Sequence, residues 1–193
     1  VIKEYPCNDK EAEKLLPETL KELNPSALIA TESPGKNEKG VYHSARGVDI
    51  SAGVARTELV FEEAKSKGIL TIGAGDGGNE LGTGVIRDYV KKNIAFGSKC
   101  VCPCGAGVAA VTELDYLVIA TITNWAMYGL AACMAIMLEK PDVLHSPQLE
   151  ERILDGCAWG GGIDIRGYAG LAADGLDGPV HYSVVEILKA MVG

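Results

Sequence analysis

No basic stripe runs through this chain. Lys and Arg number 18 against 26 Asp and Glu, giving a net charge of −8. Without a cationic face to neutralise phosphates, the composition argues against nucleic-acid binding. An anionic membrane surface is disfavoured for the same reason. Aromatic residues are scarce, at 6%, while glycine is abundant, at 24 of 193 residues. With 47% hydrophobic and 23% charged residues the chain is too ordinary for a disordered or fibrous protein. It lacks low-complexity tracts and internal repeats. The opening residues VIKEYP place an acid and a proline where the apolar core of a secretory signal would run. The six cysteines, Cys7, Cys100, Cys102, Cys104, Cys133 and Cys157, are not needed as staples in a chain so rich in apolar residues. Reduced thiols and a cytoplasmic protein are expected, with strand and helix units missing upstream of Val1.

Charge is also absent from residues 116–138, a run long enough to span a bilayer. Its halves differ in kind. YLVIATI is β-branched, as in a buried strand. Thr123 and Asn124 offer a helix N-cap, and WAMYGLAACMAIML is helix composition. A strand followed by a buried helix is expected, not a membrane span.

The rest of the chain alternates similarly. A short strand is expected at residues 1–6 and an amphipathic helix at 9–23, with strands at 27–31 (ALIAT) and 69–72 and a helix at 54–67. The glycine-rich stretch from Gly73 should lead into a helix ending near Asn93. A further strand is expected near 99–102, and helices at 148–154 and 181–192. This pattern predicts a single α/β domain over residues 1–193, a mainly parallel sheet with helices on both faces in three layers.

In such sheets ligands lie beyond the carboxyl ends of the strands. Glu32 follows ALIAT, and the polar loop after it carries His43, Arg46 and Asp49. GAGDGGNELG follows the next strand and carries Asp76, Asn79 and Glu80. Gly73, Gly75 and Gly78 satisfy a G-x-G-x-x-G pattern. Two carboxylates inside that loop would repel a pyrophosphate, so no nucleotide cofactor is expected. Glu32, Asp49, Asp76 and Glu80 suit a hard divalent cation better, Mg²⁺ or Mn²⁺ first and Ca²⁺ next. An equally weighted reading makes Asp76 a helix cap and Glu80 a partner of the helix dipole. Cys100, Cys102 and Cys104 form C-x-C-P-C, for which buried thiols are favoured over zinc because no second half of a zinc motif is evident.

Several blocks are recognisable together: PSALIATE, then Ser33-Pro34-Gly35, Arg46 through Ile50, GAGDGGNELG and ITNWAMY. With Ile163-Asp164, Ala173 through Leu176 and His181, they resemble the D-glutamate cyclase family over residues 25–192. Two departures are visible. Thr123-Asn124-Trp125-Ala126 stands where Ser-Asn-Trp-Gly is usual, and CVCPCGAGVAA looks like an insertion.

The resemblance implies a lyase that converts D-glutamate to 5-oxo-D-proline and water, with divalent-metal binding among relatives. That chemistry needs a base for the amine, an acid for the leaving oxygen and a cation or N–H donors for developing charge. Glu32, Arg46, Asp76 and Asn124 are the catalytic candidates. Gly75, Gly77, Gly78, Asn79, Thr123 and Trp125 are the substrate-binding candidates. Arg46 fits the substrate α-carboxylate, or equally an ion pair with Asp49. The expected partner is a small acidic metabolite, and a homo-oligomer is compatible with the chain. A metal-dependent phosphohydrolase and a non-catalytic metal or metabolite sensor are the alternatives.

Overall fold

A computed structural model describes residues 2–193. The chain divides into two compact units, one ending at Thr123 and one covering Asn124–Gly193.

The first unit opens with helix α1, Asp9–Leu23. Asn8 caps it by accepting from Glu11 N at 2.9 Å. Asn24, in the left-handed conformation at φ 39°, closes it by donating to Leu20 O. Strand β1, Ala27–Thr31, follows without delay. Helix α2, Glu58–Ser66, leads to strand β2, Leu70–Gly75. A 3-10 turn at Thr83–Ile86 precedes helix α3, Arg87–Asn93. Strand β3 is Tyr116–Ile119. The three strands form one parallel sheet in the order β1-β2-β3. Ile29 pairs with Ile72, and Gly73 with Leu117. The central position of β2 aims Gly75 and the residues after it at the carboxyl edge, flanked by the ends of β1 and β3.

Two apolar clusters hold this unit. Ala30, Phe61, Leu81 and Leu114 pack on one another, and Leu20, Val60 and Ala64 join α1 to α2. Full burial of a side chain such as Leu81 contributes about 1.5–3 kcal/mol. The edge strands are less covered than their apolar composition predicts. Ile29, Tyr116 and Ile119 are exposed; among the described residues β1 and β3 are the edges of the three-stranded sheet.

The second unit contains most of helix α4, Thr123–Met137, then α5, Pro147–Trp159, and α6, Gly178–Val192. Two-residue strands β4, Ala172–Ala173, and β5, Leu176–Asp177, form a small antiparallel hairpin. Its core is Tyr128, Ala132, Ala135, Leu144 and Val185. Residues 116–138 are thus a strand and a helix, and among the described residues no helix is long and apolar enough to cross a membrane.

The α/β class, with a parallel sheet and flanking helices, is as the alternation predicts. Two expected strands differ. Val1 lies outside the described residues, and residues 2–6 form no strand. Residues 99–102 are irregular as well, because Pro103 and the positive-φ glycines Gly105 and Gly107 turn the chain back on itself.

Candidate functional site

The carboxyl edge of the sheet collects acid. Glu32, Asp76 and Glu80 each offer a carboxylate oxygen, and these oxygens lie within 4.8 Å of one another. Glu32 stands one residue beyond β1, with a left-handed backbone at φ 52° and its amide donating to Ala74 O. Asp76 stands one residue beyond β2. Glu80 comes back to the same point because Gly77 and Gly78, the latter at φ 84°, turn the chain between them.

That loop is folded around Glu80. The amides of Gly77 and Gly78 donate to its two carboxylate oxygens at 2.8 and 2.7 Å, and the Asp76 amide adds a longer bond of 3.3 Å. Glu80 is 4% exposed, so these bonds replace its water. There is no room for side chains. A Cβ on Gly75 would fall 2.8 Å from the Glu80 carboxyl carbon, and one on Gly77 would fall 2.7 Å from Asn79 Oδ1. The Gly77 and Gly78 amides, candidates for holding substrate oxygens, are therefore already occupied by Glu80.

Asp76 is committed differently. Its Oδ2 accepts from Thr123 N at 3.0 Å, four residues beyond β3. The Thr123 side chain is fully buried, and its hydroxyl has no hydrogen-bond partner among the described residues. Asn79 is buried and donates to His43 O at 2.8 Å. The structure does not bring Asp49 into the acidic group. Asp49 is exposed, accepts from Ser51 N at 2.9 Å and bridges His43 through the backbone. The Ser51 hydrogen bonds hold its carboxyl below the usual range. Arg46 is exposed on the same loop.

That loop is well anchored. Lys36 Nζ lies 2.6 Å from the buried Glu58 carboxylate, and the Arg56 guanidinium stacks 4.6 Å above the Tyr42 ring. His43, fully buried, faces a group of three thiols. Its Nε2 lies 3.2 Å from Cys102 Sγ and 3.6 Å from Cys104 Sγ. Cys100 Sγ lies 3.4 Å from Cys102 Sγ and 3.3 Å from Cys104 Sγ. Burial pushes the Cys100 thiol up, but hydrogen bonds from Cys104, Cys102, Gly107 and His43 outweigh it and bring it to about 6. Cys102, which gives up its proton later, is pushed up to about 11 by burial and by its thiol neighbours. His43, Cys100, Cys102 and Cys104 are thus placed to hold a metal ion. A histidine 57 residues before the first thiol gives no spacing signal, so sequence reading had no second half to find.

Within the second unit, Asn124 lines a cavity of about 600 Å³ with Tyr128, His145, Glu150, Asp164 and Asp174. Glu150 is buried, accepts from Tyr128 Oη at 2.5 Å and pairs with His145 Nε2 at 2.8 Å. Burial first, then Glu150, holds the Tyr128 hydroxyl protonated well above its ordinary range. Trp125 Nε1 donates to His181 Nδ1 at 3.1 Å, and His181 Nε2 donates to Ala173 O. The indole N–H of Trp125 is therefore already spent inside the unit. Glu150 and Tyr128 are polar anchors that sequence reading missed, since Glu150 is one of three consecutive charged residues, Glu150-Glu151-Arg152, and Tyr128 lies singly in the apolar pattern of α4.

The model of the D-glutamate cyclase-like, C-terminal family matches residues 2–189. The human protein named D-glutamate cyclase, mitochondrial, is 34% identical over 127 residues. That alignment covers 65% of this chain and 19% of the relative, so the chain spans about a fifth of the human protein's length. With nearly its whole length matched and the acidic, glycine-rich loop built as one unit, the chain belongs to the D-glutamate cyclase-like C-terminal family.

Proposed function

We propose that this chain carries D-glutamate cyclase-like lyase chemistry, closing D-glutamate to 5-oxo-D-proline with release of water. The observation that supports it is the meeting of Glu32, Asp76 and Glu80 at the carboxyl edge of the sheet, in a chain of this family.

The reaction forms a bond between the α-nitrogen and the γ-carboxyl carbon and breaks one C–O bond of that carboxyl. One carboxylate of the Glu32–Asp76 pair takes a proton from the α-ammonium, freeing its lone pair to attack. The other, protonated, gives a proton to the departing oxygen, and the second proton, shed by the nitrogen as the lactam N–H forms, is passed to the same oxygen, which leaves as water. Glu80 plays a supporting part, because the loop amides hold it and it in turn holds the loop. Arg46 offers a guanidinium to the α-carboxylate.

The three oxygens fit the ligand shell of a hard cation. Glu32, Asp76 and Glu80 are the residues that would hold a Mg²⁺ or Mn²⁺ ion, which would supply Lewis-acid polarisation.

The test is turnover of D-glutamate to 5-oxo-D-proline, with Mg²⁺, with Mn²⁺ and with chelator, by wild type and Asp76→Asn. Asn keeps an oxygen to accept from Thr123 N, so the fold is expected to survive. Turnover should fall by roughly 10²-fold or more if Asp76 moves the proton. Absence of 5-oxo-D-proline from the wild type with every cation overturns the reading, and hydrolysis of a phosphomonoester in the same panel would replace it.

A further inference from the structure

The thiol group stands apart from the proposed lactam chemistry, which uses none of it. We propose that His43, Cys100, Cys102 and Cys104 form a closed zinc site that staples the loop carrying His43 to the irregular segment 94–115.

The donor set is complete. Three sulfurs and one imidazole nitrogen lie within 4.8 Å of one another, with nearest separations between 3.2 and 3.6 Å. Tetrahedral zinc, with bonds of about 2.3 Å to sulfur and about 2.0 Å to nitrogen, sets donor separations of about 3.5–3.8 Å. The group closes around an ion by opening slightly, with no change of partners.

Its surroundings are those of a metal centre. His43 Nδ1 lies 3.1 Å from Val41 O, and a carbonyl only accepts. The ring proton is therefore on Nδ1, and the Nε2 lone pair faces the thiols. Asn37 Nδ2 lies 3.4 Å from Cys104 Sγ and donates to Gly107 O at 2.7 Å. The backbone amides of Gly107 and Cys104 point at Cys100 and Cys102. Such N–H groups spread the negative charge of thiolates.

Chemistry selects the ion. Thiolates and imidazole favour zinc, whereas Mg²⁺ and Ca²⁺ take oxygen. Four protein donors leave no position for substrate, so the site is structural. Zinc binding displaces the thiol protons to solvent. The fold also needs such a clip. Residues 94–115 contain no helix or strand, an uncommon length for a loop inside a compact unit. Backbone bonds from Val101 N to Gly47 O and from Val111 N to Lys36 O show the same two segments lying together.

Elemental analysis of the chain, produced with zinc and purified without chelator, is expected to find one zinc per chain. Cobalt substitution is expected to give thiolate-to-metal charge transfer and the visible bands of a tetrahedral site. Cys102→Ser and Cys104→Ser should each weaken cobalt retention about tenfold or more. Cys133→Ser, at an exposed position, and Asp76→Asn should leave it unchanged. The Asp76→Asn arm separates this site from the acidic one, so failure of the cyclase reading leaves the zinc count standing. If the serine variants do not fold, the wild-type zinc count and cobalt spectrum decide. A folded wild type that carries no zinc and takes up no cobalt overturns the proposal, as does a cobalt spectrum without thiolate bands.

Discussion

Asn79 Nδ2 donates a 2.8 Å hydrogen bond to the carbonyl oxygen of His43. The residue next to Glu80 in the chain therefore grips the backbone of the residue that faces the thiols. Asn79 is 8% exposed and His43 is fully buried, so water does not readily replace this link.

Asn79→Ala leaves the His43 carbonyl buried without its partner and should cost about 1–3 kcal/mol. Asn79→Asp should cost at least as much, since a carboxylate cannot donate to a carbonyl. Urea unfolding of the three proteins measures it. Equal midpoints would mean that the link contributes nothing.

Glu80 and Glu32 should separate stability from activity. Glu80→Gln turns an NH₂ group toward amides that already donate, and loss of charged hydrogen bonds there should cost about 1.5–3 kcal/mol. Glu32 is exposed, and Glu32→Gln should stay within about 0.5 kcal/mol of wild type. The proposed turnover of D-glutamate should nevertheless be lost in Glu32→Gln. Denaturation midpoints and product assay on the same preparations test the contrast, and a fully active Glu32→Gln would remove Glu32 from the mechanism.

Gly73 lies inside β2, yet it behaves as a packing residue. A Cβ there would sit 2.3 Å from Leu81 O, on the return arm of the acidic loop. Backbone cannot step aside as a side chain tip does. Gly73→Ala should destabilise by about 1–3 kcal/mol or more. Gly53→Ala, with open space around the position, serves as the control in thermal unfolding.

Much of this architecture was legible where a local signal matched a local structure. Helix α1 and strand β1 have the bounds their patterns predict, because Asn8 and Asn24 cap the helix and ALIAT is a short, mostly apolar run. The break between strand and helix in residues 116–138 was legible from composition alone. The sulfur segment was not. Alternating cysteines imitate a strand, and only Pro103 with Gly105 and Gly107 betrays the turn. At the acidic site the grouping of Glu32 with Asp76 and Glu80 was legible from strand ends, but the separate position of Asp49 depends on how its loop folds back. The pairing of Asp76 with Thr123 and of Asn79 with His43 joins distant parts of the chain, and no periodicity encodes it.

Asp164 makes the second unit sensitive to acid. The Gly175 amide holds its carboxylate most strongly, burial opposes, and Arg166 adds to the hold, bringing its pKa down to about 2. The folded value is depressed below the ordinary 3.8, so the stabilisation is present above about pH 4. It is lost as pH falls through the window from about 4 to about 2. Asp164→Asn should flatten this part of the stability profile, measured by urea midpoints against pH. An unchanged slope would place the acid sensitivity elsewhere.

The bare glycines 75 and 77 have a consequence for how this site can change. The space their missing methyl groups leave is already filled by the Glu80 carboxylate and the Asn79 amide. A larger residue at either position would not narrow an entrance or retune a substrate. It would evict an anchor, and the whole turn would unwind with it. Substitution is therefore expected to be tolerated at the rim, where Glu32 and Arg46 face solvent, and not within the turn.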